Sequence, residues 1–278
     1  MSDLRQALEI SSASHTGMIR PHNEDSLSAV PEIGLAVLAD GMGGYNAGEV
    51  ASGMAVTMIT EEVRQAIART PPRLLNGVKH GKAEHGAARV LREAIAKANV
   101  SIYQAANTQP QYSGMGTTLV VTFLHDNHIT VAHIGDSRLY RVRGEKLEQI
   151  TRDHSLLQEQ IDSGVLTKEM ARKSQNKNLV TRAVGIEAKV EVDIQTLDTQ
   201  TGDIYLLCSD GLNDMVEDDD ILLTVNSLKV NLPLAADQLV QIANDHGGRD
   251  NVSVVLIRVK KAFPVADGWR ARLKSWFS

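Results

Sequence analysis

Four short acidic motifs constrain this chain more than any other feature: Asp40-Gly41-Met42-Gly43-Gly44, Gly135-Asp136-Ser137-Arg138, Ser209-Asp210-Gly211 and Asp250-Asn251-Val252. Each follows or opens an apolar, strand-like run, and each sets one carboxylate beside a Gly, Ser or Asn where backbone can turn tightly. A fold that gathers these strand ends gathers four aspartates from distant parts of the sequence. Mg²⁺ and Mn²⁺ take oxygen ligands and keep several waters, so a few carboxylates suffice to hold them. Singly, each motif reads equally as a turn aspartate; recurrence of the same form points to a metal-dependent hydrolase. At Asp40 the strand is expected to end, with Gly41 to Gly44 permitting positive φ and turning a carbonyl toward a cation. Near the N-terminus, Arg20 and the adjacent Asn23-Glu24-Asp25 offer a guanidinium suited to a phosphate dianion and two further acids.

The order of elements is legible in outline. Gly34 to Ala39 is continuously apolar, which predicts a strand buried on both faces. Residues 47–67 and 87–106 have helical length and periodicity, separated by a Pro-Pro stop and a polar stretch over 73–85. Residues 117–125 and 128–134 flank Asp126-Asn127, and residues 138–143 and 146–150 flank Gly144-Glu145, both as antiparallel hairpins. Short helices are expected at 155–165 and 167–174, strands at 190–197 and 203–208, a helix at 233–245 and a last strand at 252–259. The acidic run Glu217 to Asp220 reads as a helix N-terminus, where carboxylates complement the dipole. Hairpins in the middle with helices at both ends give an α+β fold, two antiparallel sheets flanked by helices, rather than a doubly wound parallel sheet.

The ordered set Arg20…Asn23-Glu24-Asp25, Asp40-Gly41-Met42-Gly43-Gly44, Gly114-Met115-Gly116-Thr117-Thr118, Gly135-Asp136-Ser137-Arg138, Arg152-Asp153-His154-Ser155, Ser209-Asp210-Gly211-Leu212 and Asp250-Asn251-Val252 resembles the PP2C-type (PPM) protein phosphatases, bacterial branch. The resemblance covers about residues 8–260. It implies a sandwich of two antiparallel sheets, a binuclear Mn²⁺/Mg²⁺ site at one end, and hydrolysis of phosphoserine and phosphothreonine in proteins by a metal-activated bridging water. Carried over by motif, Asp40 bridges both metals and the Gly41 carbonyl is a further ligand. Asp210 and Asp250 bind one metal, Glu24 and Asp25 order waters on the other, and Asp136 with Asp210 forms a weaker third site. Arg20 grips the phosphate. The implied partners are phosphoproteins and a cognate bacterial Ser/Thr kinase. Two positions depart from the family pattern: Met42 stands where some members carry a histidine proposed as general acid, and Ser174-Gln175 precede Asn178 to Arg182 where the flap, residues 155–185, often has His-Pro.

Composition excludes other classes. The net charge of −5 provides no electrostatic footprint for nucleic acid. The single cysteine, Cys208, lies in an apolar strand-like run, so it reads as a buried thiol in a reducing compartment. No segment approaches the ~20 apolar residues that span a bilayer, and the N-terminus lacks a signal pattern, so a cytoplasmic, monomeric protein is expected. His133 and His154 read as structural residues without metal-ligand spacing. Residues 261–278 form a short basic tail in which Trp269, Leu273, Trp276 and Phe277 share a helical face. It suits either packing on the domain of residues 1–260 or docking on a membrane surface or partner. A non-catalytic regulatory module on the same fold is the alternative reading, and it would be expected to lack metal carboxylates. A nucleotide-binding regulator is disfavoured because no Gly-x-x-x-x-Gly-Lys-Ser/Thr loop is present.

Overall fold

Strand β3 (Leu35–Met42) shows how the layers form, because its side chains alternate between two cores. Leu35, Val37 and Ala39 face a cluster shared with helices α1 (Ala47–Arg69) and α2 (Gly86–Thr108). Ala36 and Leu38 face a second cluster that lies between two sheets. Strand β10 (Ile204–Cys208) does the same on the other side: Tyr205 and Leu207 enter the inter-sheet core, while Ile204, Leu206 and Cys208 meet an outer helical layer. A strand covered on both faces is apolar throughout, which is why these runs do not alternate in sequence.

The computed structural model describes residues 3–44, 47–69, 86–167, 170 and 179–264. One sheet has the order β1-β11-β10-β7-β8, from Leu8–His15, Val252–Val259, Ile204–Cys208, Arg138–Arg143 and Lys146–Gln149. The other has the order β2-β3-β5-β6-β9, from Asp25–Val30, Leu35–Met42, Leu119–His125, His128–Ile134 and Asp193–Asp198, with β4 (Gly116–Thr117) added beside β3. All pairings are antiparallel. Helices α3 (Leu156–Asp162) and α4 (Asp210–Asn213) are short, and α5 (Asp218–Leu228) and α6 (Leu232–Asp245) cover the first sheet. The result is the expected α+β sandwich, with helices outside both sheets. No helix among the described residues is long and apolar enough to cross a membrane.

Most expected elements are present. Asp126 and Asn127 both take positive φ, 45° and 61°, as the tight turn between β5 and β6 requires. Helix α5 begins at Asp218 within the acidic run. Three differences have local causes. The strand expected over 117–125 is interrupted at Thr118, which commits its N–H and hydroxyl to the backbone of Asp40. The strand expected from residue 190 begins at Asp193, opposite His133, because β6 turns away at Gly135 (φ +98°) and Val192 packs instead against the helical side. The helix expected over 155–165 closes at Asp162, where Gly164 takes positive φ. The polar stretch 73–85, most of the helix expected at 167–174, Ser174-Gln175 and most of the tail lie outside the described residues.

Leu207 is fully buried between the sheets. Leu207→Ala is expected to lower unfolding stability by about 2–5 kcal/mol in urea titrations with an unchanged m-value, through lost transfer energy and the cavity left behind.

Candidate metal centre

Asp25 and Asp40 are directly opposed on neighbouring strands β2 and β3, so the register alone brings two carboxylates to the same place. Asp210 opens α4 at the end of β10, and Asp250 precedes β11. Asp136 follows β6. The structure thus gathers all four expected aspartates with Asp25 at one end of the sandwich, close enough that the other four all act on the buried Asp40 carboxyl.

Burial raises the Asp40 carboxyl well above the ordinary range, with Asp25, Asp210, Asp136 and Asp250 adding like-charge repulsion. Asp210 is raised in the same way by burial and by Asp136, Asp214, Asp250 and Asp25. Burial carries Asp25 to about 6, opposed by hydroxyls of Ser253 and Ser209. Asp136 rises to about 7 through burial and the neighbouring Asp153. Within this crowd, Asp25 Oδ1 and Asp210 Oδ1 are buried without a hydrogen-bond partner among the described residues. Orphaned carboxylate oxygens amid like charge are what a hard divalent cation satisfies, so the donor set fits Mn²⁺ or Mg²⁺.

Backbone contacts fix the arrangement. Contrary to expectation, β3 does not end at Asp40 but runs on to Met42, and Gly41 lies in the strand, paired with Thr117. Its glycine is required by close approach rather than by φ: a Cβ there would stand 2.2 Å from the Gly48 carbonyl oxygen in α1. Gly48 in turn lies against Glu24, whose carboxyl carbon would stand 2.8 Å from a Cβ on Gly48. Asp210 is likewise not a turn residue but the first residue of a helix, and a Cβ on Gly211 would stand 2.0 Å from the Asn251 carbonyl oxygen. Thr117 Oγ1 donates to the Asp40 carbonyl at 2.8 Å, and the Thr118 N–H donates to the same oxygen at 2.8 Å.

Arg20 reaches Asp250, with Nη2 2.7 Å from Oδ2, and its side chain remains half exposed. The loop that carries it is stitched by Asn251, a residue the sequence singled out only as part of a motif. Asn251 Oδ1 accepts from the Glu24 N–H at 2.7 Å, while Nδ2 donates to the carbonyls of Thr16 and His22, each at 2.9 Å. Beside Asp136 and Asp210 opens a cavity of about 220 Å³, bounded by Asp153, Asp214, Arg138 and the start of the flap. Arg138 is held by Asp153 at 2.7 Å.

Sequence spacing gave no metal site to the histidines, yet His133, His154 and Asp193 bring ligand atoms within 4.8 Å of one another. Their hydrogen bonds argue against a cation. The Gly135 N–H donates to His154 Nδ1 at 3.1 Å, so the ring proton sits on Nε2, facing Asp193 Oδ2 at 3.3 Å. A neutral imidazole arranged this way has no lone pair to offer at Nε2. The Arg182 guanidinium also lies 3.2 Å from Asp193 Oδ1. His133 bonds the Arg152 carbonyl oxygen at 2.8 Å and stacks on His154 with ring centroids 4.7 Å apart. The group is a clamp at the base of the flap. Cys208 is buried, its thiol pushed up to about 12 by burial, as an unreactive packing residue.

Comparison with known proteins matches this geometry to one family. The family model described as protein phosphatase 2C matches residues 18–245. The serine/threonine phosphatase stp of Listeria monocytogenes is 36% identical over 244 residues, which cover 87% of this chain and 92% of that protein. The crystal structure of the Mycobacterium tuberculosis serine/threonine phosphatase PstP/Ppp superposes with a TM-score of 0.79 at 34% identity, covering 92% of this chain and all (100%) of that one. A structure of the PstP catalytic domain in complex with two manganese ions gives a TM-score of 0.77 at 34% identity, covering 92% of this chain and 99% of that one.

The raised carboxyls set a pH dependence. Asp25 and Asp136 titrate near 3.8 when unperturbed but at about 6 and about 7 in the fold, so the metal-free fold binds their protons more tightly than the unfolded chain does. Their contribution to stability is complete below about pH 4 and is lost as pH rises through 6 and 7. In EDTA, Tm is expected to rise on the order of 5 °C more between pH 7.5 and 5.5 than it does with saturating Mn²⁺. Scanning calorimetry in both conditions checks this, and identical pH profiles would show that the carboxylates do not share a cation.

Proposed function

The chain belongs to the protein phosphatase 2C family, and from that premise we propose that it is a metal-dependent phosphatase acting on phosphoserine and phosphothreonine in proteins. The observation that carries the reading is the crowd of buried carboxylates around Asp40, two of them with orphaned oxygens, beside an exposed guanidinium.

Asp40, Asp210, Asp250 and the Gly41 carbonyl would hold two core Mn²⁺ or Mg²⁺ ions, with Glu24 and Asp25 ordering waters and Asp136 with Asp210 serving a weaker third. When bound, the ions supply a water activated for in-line attack on phosphorus and neutralise charge on the phosphoryl oxygens. Arg20 receives the phosphate: a guanidinium has five N–H donors, and its bond to Asp250 leaves others for phosphoryl oxygens. Asn251 holds the Arg20 loop against β11, so the cation and the acids keep one geometry through turnover. Met42, a thioether, has no proton to give to the leaving oxygen. Catalysis rests on positioning and electrostatics, with no phosphorylated enzyme.

On this reading the phosphatase domain spans residues 1–260, with its flap at 155–185, and residues 261–278 are an appended tail. It works as a cytoplasmic monomer opposing a cognate Ser/Thr kinase. The non-catalytic alternative is not favoured, since every expected carboxylate is present.

Purified protein is expected to release phosphate from a phosphothreonine peptide with Mn²⁺, and to lose that activity in EDTA and in Asp40→Asn. Release unaffected by EDTA would refute the reading. Asp136→Asn is expected to lower kcat while calorimetry still counts two tightly bound Mn²⁺; loss of both ions would show that the sites are divided differently.

A further inference from the structure

Ser253 is the one polar residue in the buried run Val252 to Ile257 of β11, and it is completely inaccessible to solvent. Ser209, at the end of β10, is equally buried. Burying a hydroxyl costs free energy unless it is hydrogen-bonded. The hydroxyls therefore call for an account.

They lead to Asp25. Ser209 Oγ donates to Asp25 Oδ2 at 2.9 Å and accepts from the Ser253 N–H at 3.0 Å. The Ser253 hydroxyl also bears on the Asp25 carboxyl. Behind it, Ser14 Oγ lies 2.7 Å from Ser253 Oγ, across a directly opposed β1–β11 pair. Asn23 Nδ2 donates to Ser14 Oγ at 2.8 Å, and Asn23 Oδ1 accepts from the Asp25 N–H at 3.1 Å. The direction of the chain follows from chemistry. An ionised carboxylate only accepts, so Ser209 gives its proton to Asp25 and takes the Ser253 N–H in turn. The chain closes on itself through Asn23, two residues before Asp25. It engages Oδ2 and leaves Oδ1 as the buried oxygen without a partner.

We propose that Ser209 and Ser253 are positioning residues that fix the Asp25 carboxylate for a divalent cation and thereby set the affinity of the ion it serves. This rests on the reading that Asp25 belongs to the metal centre. An acid with one oxygen held by a buried hydroxyl, itself set by the Ser253 N–H, presents the other in a single orientation, and its ordering cost is met before the ion arrives. Partners of this kind are worth about 10–100-fold in metal affinity where they have been removed. They touch neither the phosphate nor the reacting water, so their loss leaves kcat at saturating metal nearly intact.

The test is a double-mutant cycle read by Mn²⁺ titration calorimetry, with Tm in EDTA measured alongside. Ser209→Ala and Ser253→Ala are each expected to raise the Kd of one Mn²⁺ by about 10-fold or more. Asp25→Asn raises it as well, and in that background neither serine substitution adds a further shift, because each acts through Asp25. Additive shifts, or unchanged Kd in the serine variants beside a weakened Asp25→Asn, would overturn the proposal while leaving the metal centre standing. An unchanged Kd in Asp25→Asn itself would instead remove Asp25 from the centre, and the proposal with it. A fall of the metal-free Tm with no change in Kd would reduce both serines to packing and also overturns it.

Discussion

Carboxylates buried side by side cannot all stay ionised without a counter-charge, and this repulsion is the constraint on which the rest of the molecule depends. Asp25, Asp40, Asp136 and Asp210 are each raised by burial, Asp40 and Asp210 also by Asp25, Asp136 and Asp250. A fold that only tolerated such a cluster would be expected to separate its members. Here the strands force them together: β2 and β3 oppose Asp25 and Asp40 in register, and β10 and β11 deliver Asp210 and Asp250 from one paired ladder. The sandwich is thus strained at one end in a way that divalent cations relieve, which links metal binding to folding stability.

Holding like charges in place requires stiff surroundings, and these come from backbone rather than from long side chains. Gly41 on Gly48 and Gly211 on Asn251 are contacts that no Cβ could enter. Asn251 uses its amide to anchor the Arg20 loop, while Thr117 and Thr118 grip the Asp40 backbone. At the neighbouring flap, His154 joins the Gly135 N–H to Asp193 and lies beside Arg182, so the entry and exit of that segment are tied to the strand preceding Asp136. The acids, Arg20 and the flap base therefore share one rigid frame.

Much of this was legible in the sequence because it depends on local pattern. Doubly buried strands such as residues 35–39 read as continuous apolar runs, and the Asp126-Asn127 turn announces its hairpin. The carboxylates were legible because each stands beside a Gly, Ser or Asn next to an apolar run. What could not be read was contact between distant segments. Gly41 looked like a turn glycine, yet it is there because α1 crosses at 2.2 Å from where its Cβ would be. Asp210 looked like a turn residue, but a short helix begins there. The His133–His154–Asp193 clamp and the serines behind Asp25 unite residues that are far apart in the chain, and no spacing rule exposes them. Asn251 stood inside a recognised motif, but its role in fixing the Arg20 loop is visible only in three dimensions.

The central claim is that the buried carboxylates exist to share divalent cations. Anomalous diffraction from crystals grown with Mn²⁺ tests it most directly. The account predicts two strong Mn²⁺ peaks within coordinating distance of Asp40, Asp210 and Asp250, and none between His133, His154 and Asp193. Peaks absent from the aspartate cluster at saturating Mn²⁺, or present only at the histidine clamp, would contradict it.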